Sequence, residues 1–303
     1  MKQTLVIVPT FKEKEKIVKL LHSLAHVPQG TVKLLIVNGN PGDETSVYLR
    51  QLHNNAILEI KGSPELFWSG LVNLGLEHVL RHAEDPEFLI LMNADIEFDT
   101  DILTPLIAKA RANPNAQIAA VTISGRRVVS SGVKVQSWWL MINRHPFAGT
   151  LPERLPSEAL IPVEFLPARC TLIPFAAAKR AGLVAERDLP HYAGDYEYTN
   201  RLRTSGFPAY IYTGSQVRVD AKNTGTSVFH KPLSLKTRIT SLFSIKANYN
   251  PVYRLRFVRM AYPWYAWPSA MVMCLLRSTV EVLLGGNAVK FLLRRKESGF
   301  AGL

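Results

Sequence analysis

Through the first 125 residues, short uninterrupted apolar runs alternate with segments whose apolar residues recur every three or four positions. "TLVIV" (Thr4 to Val8) and "VKLLIV" (Val32 to Val37) have the form of strands buried on both faces. Between them, "KEKEKIVKLLHSLAHV" places Ile17, Leu20, Leu21 and Leu24 on one helical face. "AILEI", "FLILM" and "QIAAVTI" predict further strands, and "SGLVNLGLEHVLRHA" and "DILTPLIAKARAN" predict helices between and after them. Asp43 is placed to cap a helix that starts near Thr45. Such alternation predicts a largely parallel α/β sheet with helices on both faces. From about Gly125 to Pro162 the pattern loosens into irregular strands and loops. It then resumes with "VEFLPARCTLIP" (strand, bend, strand), a helix over "GDYEYTNRLRTSG" closed by Gly206, and a last strand, "PAYIYTGSQVRV".

Charge divides the chain in two. Up to Ser227 there are 24 Lys and Arg against 22 Asp and Glu, whereas from Val228 onward there are 12 against 2. A nearly neutral body, residues 1–227, therefore carries a strongly basic extension, residues 228–303, and the partners to weigh are nucleic acid and an anionic membrane. In the extension, Trp264, Tyr265 and Trp267 lie near Arg254, Arg256 and Arg259. That mixture fits a lipid interface better than nucleic acid. The uncharged stretch from Tyr262 to Leu276 is short and holds Pro263 and Pro268, so no membrane-spanning segment is expected. The N-terminus does not have the form of a signal peptide. Cys170 and Cys274 form neither a disulfide framework nor a zinc spacing, which fits the cytoplasm.

Candidate chemistry gathers where strands end, the edge on which open α/β sheets bind ligands. "LILMNADIEFD" (Leu89 to Asp99) is a buried run that breaks at Asn93, Asp95 and Glu97. Asp99, Thr100 and Asp101 precede a helix and suit capping. Asp95 comes too early to cap, so it is either a solvated loop carboxylate or a ligand for Mg²⁺ or Mn²⁺. Thr10 and Glu13 in "PTFKE" are a capping box or a nucleotide-contacting loop. Asp195 is an N-cap or a general base, and Glu197 is a first-turn carboxylate favoured by the helix dipole or that base instead.

"VIVPTFKE", "VNGNPGDET", "FWSGLVNLGL", "LILMNADIEFDTDIL", "FLPARCTLIP" and "LPHYAGDYEYTNRLRTSGF" follow one another in that order. Together they resemble family 2 glycosyltransferases of the GT-A fold, especially the rhamnosyltransferase-like bacterial branch, over roughly Thr4 to Ser227. The resemblance implies a Rossmann-like catalytic domain that takes a nucleoside-diphosphate sugar and a divalent metal. It implies inverting transfer to a hydroxyl of a glycan or lipid-linked acceptor, in surface polysaccharide synthesis, with rhamnose as the sugar its branch suggests. It assigns the metal to Asp95 with Asn93, where the family usually has a first aspartate, and the catalytic base to Asp195. Pro9, Thr10, Glu13 and Asn38 match the nucleotide loops, although Val37 stands where the family usually has Asp. Gly70 and Asn73 match the helix start facing the diphosphate, and Trp68 lines that site. A later family histidine that completes the metal shell has no clear match; Asp220 and His230 are nearest. The basic extension resembles the tails that hold such enzymes on the inner membrane face. The alternatives are a nucleotidyltransferase, against which the absence of a Gly-rich phosphate loop after the first strand counts, and a degenerate nucleotide-sugar-binding protein.

Overall fold

The computed structural model describes residues 3–82, 85–219 and 234–293. The strands are β1 (Thr4–Thr10), β2 (Val32–Asn38), β3 (Ile57–Lys61), β4 (Phe88–Met92), β5 (Ile96–Glu97), β6 (Gln117–Ser124), β7 (Arg127–Ser130), β8 (Lys134–Ser137), β9 (Ile142–Arg144), β10 (Leu160–Val163), β11 (Cys170–Pro174) and β12 (Ala209–Val219). The helices are α1 (Lys14–Leu24), α2 (Glu44–Gln51), α3 (Trp68–His82), α4 (Leu103–Arg111), α5 (Phe175–Ala181), α6 (Gly194–Thr204), α7 (Leu235–Thr240), α8 (Pro251–Ala261) and α9 (Trp267–Leu293).

The main sheet runs β10-β12-β6-β11-β4-β1-β2-β3, with β5 and β7 paired at its side. β1, β2, β3 and β4 are parallel, as the helical crossovers between them require. Alternate residues of one strand enter two cores, because successive side chains point to opposite faces. Val6 and Val8 meet α1 and α4 through Ile17, Leu20 and Leu106. Leu5 and Ile7 meet α3 through Leu71, Val72 and Leu76. The expected sheet with helices on both faces is therefore present. One strand departs from the parallel pattern: β11 lies antiparallel between β4 and β6. Its register pairs Cys170 with Met92, so the start of β11 sits beside the end of β4.

The loosely patterned middle forms the antiparallel β8–β9 hairpin, its loop bearing Trp138, Trp139 and Leu140. The 227/228 boundary expected between body and extension lies outside the described residues. Beyond it, α8 and α9 share a core with the body: Phe257, Val258, Tyr262 and Cys274 pack with Val133, Met141, Phe165 and Leu189.

The expectation for the apolar stretch of the extension needs correction. Pro263 precedes the 3-10 turn Trp264–Ala266, and Pro268 lies in the first turn of α9. At those places proline is compatible with a helix start. The helix therefore continues for 27 residues, and Trp264–Leu284 is long and apolar enough to cross a membrane by length and composition. Its buried side faces protein, however. Arg254 of α8 pairs with Glu281 at 2.8 Å and donates to Ser278 Oγ at 3.2 Å, with both ions of the pair nearly inaccessible.

Candidate active site

Four chain segments meet where β1, β2 and β4 end and β11 begins. The first is the β1 tip. Pro9 and Thr10 are its last residues and both are buried. Of the two readings of Thr10 and Glu13, the capping box does not form: Thr10 is still strand and α1 has no side-chain cap. Thr10 is 2% exposed and its Oγ1 has no hydrogen-bond partner in the protein. Glu13, at the N-cap position of α1, makes no capping bond and pairs with Lys16 instead.

The second segment is the β2 tip. Asn38 is fully buried and fully used. Its Nδ2 donates to Asp43 Oδ1 (3.1 Å), Ser46 Oγ (3.0 Å) and Glu59 Oε1 (3.0 Å), while its Oδ1 accepts from Asn40 N (2.9 Å). Asp43 in turn caps α2 through Thr45 N and Ser46 N, as expected. Asn38 thus shapes the loop at residues 39–43 from beneath.

The third segment is the β4 tip with the start of α3. Asn93 Oδ1 accepts the indole N–H of Trp68 at 3.0 Å. Asp95 differs: its Oδ1 is buried without a hydrogen-bond partner. Asp101, not Asp95, caps the next helix, accepting from Leu103 N and Thr104 N. Glu97 pairs with Lys19 and Asp99 with Arg218, both away from the tip. Gly70 and Asn73 turn toward the loop of residues 184–190. A Cβ on Gly70 would come within 2.7 Å of Glu186 Oε1. Asn73 holds that loop at both ends of its amide, accepting from Val184 N (2.8 Å) and donating to Val184 O (3.0 Å) and Glu186 Oε2 (3.2 Å). Its amide is committed to the scaffold.

The fourth segment carries Asp195. Ala193, in the left-handed region at φ +62°, occupies the N-cap position of α6, so Asp195 belongs to the first turn rather than capping the helix. Its carboxylate accepts from Ala168 N (3.1 Å) and from Tyr196 N (2.9 Å). Burial holds the Asp195 carboxyl above the usual carboxylate range, opposed by those N–H groups and by the Arg169 charge. Glu197 is 3% exposed and locked to Arg201 at 2.8 Å, which removes it from solvent and from base chemistry. Residues 167–169 bridge the third and fourth segments: Asn93 N donates to Arg169 O (3.4 Å), and Ala168 N donates to Asp195.

Two further residues belong here that the sequence did not single out. Arg169 arrives because β11 is reversed, which puts its preceding residue at the carboxyl edge of the parallel strands. His191 lies on the loop before α6, its ring edge-on to Phe67 (6.0 Å) and its Nδ1 without a partner. Burial pushes its pKa down to about 4, so the ring is neutral at pH 7. Asp220 and His230 lie outside the described residues.

At this sheet edge Thr10 Oγ1 and Asp95 Oδ1 have no hydrogen-bond partner within the protein, nor does His191 Nδ1 on the loop before α6, and each is free to meet a ligand. Asp95 Oδ1 is a hard anionic oxygen and fits a Mg²⁺ or Mn²⁺ ion. Among the described residues, no three His, Cys, Asp or Glu side chains gather to hold a metal ion, so Asp95 provides that anionic oxygen alone. On the α8 side, a small recess lined by Met141, Tyr192, Ala193, Tyr253 and Phe257 opens close to Asp195 in the chain.

The sequence profile of glycosyl transferase family 2 matches residues 5–165, more than half of the chain. The chain belongs to glycosyl transferase family 2. No curated protein matches it. This family 2 chain is similar in fold to GalNAc-T7, solved with UDP, GalNAc and Mn²⁺, at 13% identity and a TM-score of 0.58, over 73% of this chain and 43% of that one. It is similar to residues 1–349 of TarS from S. aureus at 14% identity and a TM-score of 0.55, over 97% of this chain and 76% of that one. It is also similar to the mannosyltransferase PcManGT of Pyrobaculum calidifontis, solved with GDP-Man and Mn²⁺, at 15% identity and a TM-score of 0.53, over 98% and 81%. In another structure of TarS the family 2 chain covers 50% of the relative, and with GalNAc-T7 it spans less than half. The fold is of the GT-A type.

Proposed function

We propose that the chain is an inverting, metal-assisted glycosyltransferase that moves a sugar from a nucleoside-diphosphate donor to an acceptor hydroxyl, in synthesis of a bacterial surface polysaccharide. The observation that carries this reading is the unpaired, buried Oδ1 of Asp95, two residues past Asn93, whose N–H donates to Arg169 O beside the Ala168 N–H that holds the buried carboxylate of Asp195. The family supports sugar transfer, and the rhamnosyltransferase-like order of motifs suggests rhamnose.

Asp95 would hold Mg²⁺ or Mn²⁺, which when bound supplies positive charge for the departing diphosphate. Asn93, tied to Trp68, and the β1 tip wall the donor side. Asp195 is the base. The two backbone N–H groups fix its carboxylate plane, and its remaining lone pairs accept the proton of the acceptor hydroxyl. The acceptor oxygen forms a bond to the anomeric carbon as the bond from that carbon to the phosphate oxygen breaks. The nucleoside diphosphate leaves with the bonding pair, the proton rests on Asp195, and the configuration inverts in one displacement. A degenerate nucleotide-sugar-binding protein would also use Asp95, so what favours catalysis over binding is the buried Asp195 carboxylate held by two backbone N–H groups. The exposed apolar side of α9 and the basic extension support a peripheral position on the cytoplasmic membrane face, where a lipid-linked acceptor is found.

The test is a donor panel of dTDP, UDP and GDP sugars with Mn²⁺ or Mg²⁺, read by thermal shift and nucleoside diphosphate release. One nucleotide should stabilise the protein only with metal present. Pyrophosphate release from a nucleoside triphosphate and a sugar phosphate would instead make it a nucleotidyltransferase.

A further inference from the structure

The apolar surface of the extension continues onto the catalytic half. The loop of the β8–β9 hairpin exposes Trp139 and Leu140, each 51% accessible, with Ile142 at 37%. Trp264 and Tyr265, just before α9, are 76% and 43% accessible. These two stretches, more than a hundred residues apart, touch: the Trp139 and Tyr265 rings are 5.6 Å apart, and Tyr265 continues to Trp264 at 6.2 Å. Val272, Leu276 and Leu283 extend the exposed strip along α9, while Ala270, Cys274, Ser278 and Glu281 on its other side are buried.

The rings are held outward by firm contacts behind them. Trp138 faces inward and packs edge-on against Tyr262 (4.9 Å) and Phe165 (5.9 Å). Asn143 donates to Tyr262 Oη, and Arg277 donates to Met141 O. A rigid path leads from there to the base: Phe165 packs on Tyr196, the neighbour of Asp195, and Asn200 of α6 donates to Ala261 O at 2.9 Å. The hairpin itself and residues 234–284 display basic charge, and Glu164, the acid beside the hairpin, is engaged by Val135 N. Lys134, Arg144 and Arg259 are exposed, the hairpin has no acidic residue, and Glu281, the sole acid between Ser234 and Leu284, is buried against Arg254.

We propose that the hairpin loop and the Trp264–Tyr265 turn form one aromatic wedge that enters the interface of an anionic phospholipid bilayer. The wedge fixes the catalytic edge at the lipid surface, so that the acceptor reaches Asp195 from the membrane. The inference rests on the membrane-face transferase reading above and adds a lipid contact made by the catalytic half itself. Amphipathic rings suit the headgroup boundary, and the surrounding cations complement anionic headgroups.

Flotation of the full chain with phosphatidylcholine vesicles, with and without phosphatidylglycerol, tests it. The wild type should float with the anionic vesicles and far less with the neutral ones. The pair Trp139→Ser and Leu140→Ser should weaken binding about tenfold, as should Trp264→Ser with Tyr265→Ser, since each removes over ~1.4 kcal/mol of apolar burial. Both pairs should keep the wild-type melting temperature, because the residues are exposed. A hairpin pair that floats like wild type while the Trp264 and Tyr265 pair does not would overturn the wedge. So would equal binding to neutral vesicles, protein released only by detergent, or lipid-free protein that elutes as a larger assembly. Nucleoside diphosphate release in vesicle-free buffer judges the transferase reading separately, and its failure leaves the flotation result intact.

Discussion

Asn38 ends β2 and Asp95 lies in the turn just after β4, the two strands that flank β1, and both are polar residues at the carboxyl edge of the sheet. Asn38 satisfies its whole amide within the protein, through Asp43, Ser46, Glu59 and Asn40. Asp95 leaves a buried carboxylate oxygen without a partner. The same division separates Asn73, committed to the 184–190 loop, from Thr10. Position at the edge is therefore not enough to identify a ligand contact. A polar side chain that the protein already satisfies shapes the site, and one it leaves unsatisfied is available to hold what binds there.

That contrast can be broken by substitution. Asp195→Asn has the largest expected effect: transfer should fall by about a thousandfold or more, with donor affinity unchanged, since an amide cannot take the proton. The wild-type rate should rise with pH through a midpoint above the ordinary carboxylate range, because burial favours the protonated form. The sign for stability is opposite. The folded state holds this proton more tightly than the unfolded chain, so ionising Asp195 weakens folding, and the Asn variant should melt higher at neutral pH. Near-normal turnover would remove Asp195 as the base.

Asp95→Ala comes next. Metal-dependent donor binding should weaken by about a hundredfold, several kcal/mol of charge stabilisation being lost, while the melting temperature holds or rises. Isothermal titration with and without Mn²⁺ reads the first, and a lowered melting temperature would show Asp95 to be scaffold. Asn38→Ala should do the reverse. Stranding Glu59, Ser46 and Asn40 N should cost about 2–3 kcal/mol in chemical denaturation, with turnover of the folded fraction close to wild type. Unchanged stability with lost donor binding would place Asn38 among the ligand contacts after all. The smallest effect belongs to Thr10→Val, which removes an unpaired hydroxyl at nearly constant volume. Stability should stay within about 0.5 kcal/mol while donor affinity drops a few-fold, and unaltered affinity would show that this hydroxyl meets no donor.

Much of the frame was legible because β1, β2 and β4 are continuous apolar runs and α1 and α3 keep a strict helical period. Asp43 announced its helix from local chemistry alone. The local rule failed at Thr10, where strand pairing with β2 outlasted the capping signal. It failed again at Asp195, where Ala193 took the cap through its backbone conformation. Arg169 was beyond reach because its place depends on β11 running against its neighbours, and His191 because its loop is held by the start of α3 through Ser69, neither of which a local pattern encodes. The length of α9 was misjudged because two prolines read as breaks in a sequence are ordinary at a helix's first turn.

The Arg254–Glu281 pair decides more than how α8 meets α9. A helix of this length and hydropathy faces a partition between two states, docked against its own protein or threaded through lipid. Threading would carry Glu281 into hydrocarbon without its Arg254 counter-ion, and losing one partner of such a buried pair costs about 3–5 kcal/mol. The docked state escapes this penalty and still offers lipid the opposite side of the helix. A single ionic contact thereby favours the docked state of a segment that by length and composition passes for a membrane span.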